Sequence, residues 1–108
     1  MPKSSLPKIF PSFTLAVWKM ATKIPRGRVM TYASLAKALN KPKAARAVGN
    51  ALNKNPYWPK VPCHRVVCSD GRVGGFADGS GRKVKLLEKE GVRIEKGFII
   101  PLKNFLYR

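Results

Sequence analysis

The run Thr31-Tyr32-Ala33-Ser34-Leu35-Ala36-Lys37-Ala38-Leu39-Asn40-Lys41-Pro42-Lys43-Ala44-Ala45-Arg46-Ala47-Val48-Gly49-Asn50-Ala51-Leu52-Asn53 carries the clearest periodicity in the chain. Thr31 is a capping residue type, and Leu35, Ala36 and Leu39 behind it recur at helical spacing, which predicts a helix over Tyr32–Leu39. Asn40-Lys41-Pro42-Lys43 is a tight basic connection. A second helix is expected over Ala44–Asn53. Ala44, Ala47, Val48, Ala51 and Leu52 would form its apolar stripe, with Arg46, Asn50 and Asn53 opposite. Two short helices joined in this way fit a helix-turn-helix. An ordinary helical hairpin in a small bundle is the competing reading, and the charge of the chain favours DNA contact. The second helix is rich in small residues, so it offers few side chains that reach base edges. Affinity would then rest on phosphates, with little sequence preference.

Upstream, Ser12 can cap a helix over 13–24, with Phe13, Val17, Ala21 and Ile24 on one face. Pro25-Arg26-Gly27 is a turn, and Val29-Met30 is β-prone. Residues 1–12 contain three prolines and two lysines and read as an extended arm. Downstream, residues 54–62 form a proline-rich loop. Its Tyr57 and Trp58 have two readings, stacking on bases or covering the core. Val66-Val67-Cys68, Ser69-Asp70-Gly71-Arg72 and Val73-Gly74-Gly75-Phe76 read as strand, turn, strand, the wing of a winged helix. A last helix is expected over Arg82–Glu90, stopped by Gly91. Phe98–Leu102 is an apolar segment expected on the core, and Lys103–Arg108 a basic tail. The expected fold is mainly α with a small β-hairpin, a winged helix-turn-helix-like DNA-binding domain over 13–108.

The chain has 108 residues, 22 Lys and Arg against 5 Asp and Glu, a formal net charge of +17 and 44% hydrophobic residues. The hydrophobic content argues against disorder. The charge implies a polyanionic partner, most simply nucleic acid. Neither an apolar span of membrane length nor a long basic amphipathic helix is present, so no membrane role is expected. No apolar signal core follows the basic start, which predicts an intracellular, cytoplasmic protein. Cys63, Cys68 and the single histidine fall short of a four-ligand zinc site, and no metal is expected.

That single histidine stands in Val61-Pro62-Cys63-His64-Arg65-Val66-Val67. A thiol of ordinary pKa is roughly 3% thiolate near pH 7. A neighbouring histidine and a basic field would depress the pKa and raise that fraction. Pro62 predicts an extended approach to Cys63. On extended chain, adjacent side chains point to opposite faces. His64 would then serve Cys63 through a water or after a local turn. Cys68, in an apolar run, reads as structural.

Pro62-Cys63-His64-Arg65-Val66, preceded by Pro42–Gly49 and Asn55-Pro56 and followed by Gly74-Gly75-Phe76 and Leu86–Gly91, resembles the DNA-binding and catalytic domain of O6-alkylguanine-DNA alkyltransferases. The matching blocks span roughly residues 13–95. The resemblance implies a DNA repair protein that swings out O6-alkylguanine and moves the alkyl group irreversibly to Cys63, once per molecule. It also implies a minor-groove approach to double-stranded DNA, a monomer, and no cofactor. The catalytic set it implies is Cys63, His64 as base through water, Glu90 orienting the histidine, Tyr32 as proton donor, and Asn55 tying the loop. Arg46 would fill the gap left by the extruded base, with Ala45, Asn50, Lys43 and Thr31 also at the DNA. Val66, Gly74, Phe76, Ala77 and Asp78 would line the substrate pocket. The sequence departs from the family in three ways. About a dozen residues precede the shared region where larger members have a further domain, Asp78 stands where Gly is common, and Phe76 where Tyr is frequent. An alkyltransferase-like protein that binds the lesion without repairing it is the alternative; Cys63 argues against it.

Overall fold

The computed structural model describes residues 12–58, 60–74 and 80–107. Helix α1 (Ser12–Ala21) buries Val17, Trp18 and Ala21. The indole N–H of Trp18 donates to the carbonyl of Ala51 at 2.8 Å, which satisfies the one polar atom of a fully buried ring. The helix is shorter than expected and includes Ser12. Its end tightens into i+3 bonds, Lys23 N–H to Met20 and Ile24 N–H to Ala21, because Pro25 keeps the residue before it out of helical conformation. Ile24 is buried all the same.

Strand β1 (Met30–Thr31) runs directly into helix α2 (Tyr32–Ala38). Thr31 is the N-cap, in a capping box: its Oγ1 accepts from Ser34 N–H and Ser34 Oγ accepts from Thr31 N–H, both at 2.9 Å. Asn40, at φ 63, ends the helix. Lys41 N–H reaches Ala36 O at 3.0 Å and Asn40 N–H reaches Lys37 O at 2.9 Å, the paired closure of a left-handed cap that asparagine tolerates. Helix α3 (Ala45–Asn53) packs on α1 and α2 through Val48, Ala51 and Leu52. Arg46, Asn50 and Asn53 face outward, and so does Ala47, against its expected place in the apolar stripe.

Strand β2 (Val66–Val67) pairs in parallel with β1, Met30 opposite Val66 and Thr31 opposite Val67. The expected hairpin between 66–68 and 73–76 is therefore not formed at β2. Arg72 O instead accepts from Cys68 N–H at 2.9 Å, and Arg72 bridges to Phe98; Gly75 and Phe76 lie outside the described residues. Helix α4 (Ser80–Lys89) follows, and then the observed hairpin, β3 (Ile94–Glu95) antiparallel to β4 (Phe98–Ile99). Its two-residue turn, Lys96-Gly97, has φ 53 and 84, the primed geometry that matches strand twist. Of the apolar segment after it, Ile99 is buried, while Phe98 and Ile100 are exposed. The C-terminal residues are not a free tail: Val29 N–H donates to Phe105 O and Tyr107 N–H to Val29 O, each at 2.8 Å.

The β1–β2 pair joins two apolar clusters. Met30 and Val66 enter the larger, with Trp18, Leu35 and Val48. Val29 and Val67 enter the smaller, with Val73, Leu87, Val92 and Ile99. This is the alternation of a pleated strand, and it sets the turn before β2 at the junction of the helices and α4.

Candidate active site

Pro62 does not deliver an extended chain to Cys63. It sits at φ −81, ψ 70, and Cys63 N–H bonds back to Val61 O at 2.9 Å, an inverse γ-turn. Cys63, His64 and Arg65 then form one 3-10 turn. Asn55 fixes the loop behind this turn. Its side-chain N–H donates to Val61 O, and its Oδ1 accepts from Tyr57 N–H, both at 2.8 Å.

His64 is buried, and both ring nitrogens are engaged. Nε2 lies 2.9 Å from Glu90 Oε2. The indole N–H of Trp58 points to Nδ1 at 3.3 Å. Glu90 is placed there by the end of α4. Gly91 at φ 93 closes the helix, with Gly91 N–H bonded to Glu88 O and Val92 N–H to Leu87 O, each at 3.0 Å, a Schellman cap. Gly27 clamps the same point: a Cβ there would meet Glu90 O at 3.0 Å. Arg65 grips the carboxylate with Nε on Oε1 at 2.9 Å and Nη2 on Oε2 at 2.7 Å, a bidentate fork. Its third nitrogen donates to Ile24 O at 2.9 Å. Burial works against the Glu90 carboxylate, but the bonds from Arg65 and His64 outweigh it and bring its pKa down to about 2. For His64 burial wins over Glu90, lowering its pKa and keeping the ring neutral.

Lys83, on α4, is 1% exposed. Its ammonium donates to Val66 O at 2.6 Å and to Tyr32 Oη at 3.3 Å. Burial lowers its pKa to about 8. Burial also raises Tyr32, with Cys68 and Cys63 adding to it, to about 12. Tyr32 thus keeps its proton while its oxygen lone pair takes the lysine, which leaves the O–H to donate elsewhere. The Cys63 thiol is raised, not depressed as its neighbours suggested. Burial is the largest cause, and the Asn55 side chain and the Lys83 charge offset it in part. At neutral pH Cys63 therefore rests as a thiol, and its ionisation needs an acceptor for the proton.

Gly74 lines this centre. A Cβ on it would stand 3.3 Å from Cys68 Sγ, 3.6 Å from Tyr32 Oη and 3.8 Å from Lys83 Nζ. Val66 is sealed in the core and presents its carbonyl to Lys83. Phe76, Ala77 and Asp78 lie outside the described residues. Arg46, Lys43 and Asn50 are exposed on α3 and its preceding turn, and Ala45 is half-buried. Thr31 is instead buried, its hydroxyl spent on the cap of α2 rather than turned outward. Lys83 and Arg65 join the site without being singled out by the sequence. Arg65 lies inside the Cys63 motif. Lys83 carries a weaker signal, one helical turn before the buried Leu87.

Among the described residues no three His, Cys, Asp or Glu side chains converge to hold a metal, and no helix is long and apolar enough to cross a membrane.

Residues 12–92 match the family model described as 6-O-methylguanine DNA methyltransferase, DNA binding domain. A human methylated-DNA–protein-cysteine methyltransferase is 48% identical over 86 residues, 79% of this chain and 42% of the relative. The enzyme of the same name from Saccharolobus islandicus is 48% identical over 87 residues, 81% of this chain and 55% of its own. The chain thus spans about half the length of the curated relatives it matches. Among solved structures, Mycobacterium tuberculosis OGT in complex with DNA superposes with a TM-score of 0.73 at 42% identity, over 75% of this chain and 50% of that one. Atl1 of S. pombe, bound to damaged DNA containing O6-carboxymethylguanine, gives 0.80 at 30% identity, over 89% of this chain and 94% of that one.

Proposed function

Because the chain belongs to the 6-O-methylguanine DNA methyltransferase family, we propose that it repairs O6-alkylguanine in double-stranded DNA by moving the alkyl group to Cys63, once per molecule. A base inside a duplex must be swung out before its O6 can be reached. The exposed stripe of α3 supplies the contact. Lys43 and the basic surface hold phosphates, Ala45 and Asn50 lie along the minor groove without reading sequence, and Arg46 enters the stack in place of the extruded guanine. The alkyl group would be received on the Gly74 side of this centre, with Phe76, Ala77 and Asp78 as further candidate pocket residues.

In the reaction the Cys63 sulfur attacks the alkyl carbon in line. The S–C bond forms as the C–O6 bond breaks, and the electron pair leaves on guanine. Tyr32 donates its proton to the departing base, with Lys83 on its oxygen to stabilise the charge left behind. The thiol proton passes through water to His64, which Glu90 orients and whose charged form Glu90 stabilises. Asn55 keeps the loop in shape. The thioether has no leaving partner, so the protein is spent. No cofactor takes part, because the damaged guanine is itself the alkyl donor. The protein acts as an intracellular monomer.

One observation carries the reading: a cysteine thiol shares its site with a buried ammonium and a protonated tyrosine, and the next residue in the chain is a carboxylate-held imidazole. Atl1, matched over 94% of its length, supports a second reading, in which this chain binds the lesion and leaves it unrepaired. Incubation with a duplex holding one O6-methylguanine separates the two. Restored guanine, lost in Cys63→Ser, is expected. Tight lesion binding with the base unchanged would select the second reading. Arg46→Ala is expected to slow transfer from the duplex about tenfold or more while sparing transfer from the free base; equal losses on both would remove Arg46 from base extrusion.

A further inference from the structure

Within the proposed reaction, on which this inference rests, the acceptor for the thiol proton is already occupied. The neutral ring of His64 has one donor and one acceptor nitrogen. Nε2 at 2.9 Å from the Glu90 carboxylate must carry the hydrogen. That leaves Nδ1 as the lone pair, and the Trp58 indole N–H, a group that can only donate, points at it from 3.3 Å. The two rings meet edge-on, centroids 6.2 Å apart at 71°. The Arg82 guanidinium lies over the outer face of the indole, 5.0 Å from its centroid. Trp58 is half-buried, in the loop between α3 and Cys63.

We propose that Trp58 is a positioning residue that gates the base. While its N–H rests on Nδ1, His64 is locked in the Nε2–H tautomer with no lone pair for the proton of Cys63. When DNA draws Arg82 or the loop outward, the indole leaves, a water takes its place on Nδ1, and the thiol ionises. The device confines a reactive thiolate to the moment of lesion binding, which suits a protein that reacts once and cannot be regenerated. Among the described residues, the charged groups that act on the ring are Glu90 and Lys83 from α4 and its end and Arg65 from its own turn, with Arg82 over the indole. Of these Glu90 favours the charged ring, while Arg65 and Lys83 oppose it; none of them supplies a donor to Nδ1.

Trp58→Phe removes the N–H and keeps an aromatic ring for Arg82 and the core. Alkylation of Cys63 by iodoacetamide, followed against pH without DNA, reads the gate directly. Trypsin separates the two cysteines, because Lys60, Arg65 and Arg72 place Cys63 and Cys68 on different peptides. Cys63 in Trp58→Phe is expected to react about fivefold faster at neutral pH, the equivalent of one released hydrogen bond. Its pH midpoint should fall, and the His64 ring, followed by NMR, should titrate at higher pH. The gain should vanish in Trp58→Phe with His64→Gln. Rates and His64 titration equal to wild type, or a slower Cys63, would overturn the proposal. Methyl transfer from O6-methylguanine DNA, measured alongside, keeps the two claims apart. A wild type that transfers nothing defeats the repair reading, whatever the iodoacetamide profile shows about the gate.

Discussion

Two clusters adjoin Cys63, one through the next residues of its own turn and one through the charge of Lys83, and they are built differently. In one, Glu90 is gripped by Arg65 at 2.7 Å and by His64 at 2.9 Å, so charges are matched and geometry is fixed. In the other, the Lys83 ammonium donates to Val66 O at 2.6 Å and to Tyr32 Oη at 3.3 Å, and its charge favours the ionised form of Cys63. The difference teaches how the labour divides. The Glu90 cluster aims an imidazole and stabilises it when charged, while the Lys83 cluster lends a field that offsets the burial of the thiol.

Breaking the Lys83 side gives the largest effect. Lys83→Met keeps the apolar stem and removes the charge, and methyl transfer at neutral pH is expected to fall about 100-fold. Raising the pH should restore the rate in the variant, because hydroxide then ionises the thiol without help. Stability gives a second check. The folded pKa of Lys83, about 8, lies below its ordinary 10.5, so the protonated lysine weakens the fold. Relative to Lys83→Met, the wild type should gain stability as the pH rises from about 8 to about 10.5. Parallel stability curves for the two proteins would show that the amine is not perturbed.

Glu90→Gln sharpens the other side. The amide still accepts from His64 but no longer favours its charged form, and transfer should drop about tenfold, one pK unit at the imidazole. The sign in acid follows from the lowered carboxyl, about 2 against an ordinary 4.5. Its contribution is full above about pH 4.5 and is lost as the pH falls towards 2. Denaturant melts across that window should slope for wild type and be flatter for Glu90→Gln.

Gly27→Ala is the smallest of the three. At φ 84, with a Cβ 3.0 Å from Glu90 O, it should cost about 2 kcal/mol of stability. By shifting the carboxylate it should slow transfer a few-fold while leaving the intrinsic pH dependence of Cys63 in place. An unchanged midpoint in urea would mean that the turn yields without moving Glu90.

Local signals in the sequence were reliable where the structure is local. The Thr31 cap, the helical spacing of Leu35, Val48 and Leu52, and the Gly91 stop all correspond to observed elements. The β pairing was not legible, for a physical reason. β2 pairs in parallel with β1 across two helices and a loop, so no turn in the sequence announces it. The true hairpin turns on Lys96-Gly97, a weaker signature than Asn-Gly, and Val73 looked equally strand-like. In the site, Cys63 and the single histidine stand out as rare residue types in a basic chain, while Glu90 enters only through the family resemblance. Lys83 is one of many lysines, and only its burial by the fold sets it apart. The pKa of Cys63 was misjudged for the same reason: charge is visible in a sequence, and desolvation is not.

The account stands on Cys63 as the atom that keeps the alkyl group. The measurement is peptide mass mapping after the protein meets an excess of duplex carrying O6-methylguanine. One methyl group per protein molecule, on the peptide of residues 61–65 and no further uptake on fresh DNA, is the expected result. An unmodified peptide from protein that had bound the lesion tightly would contradict it.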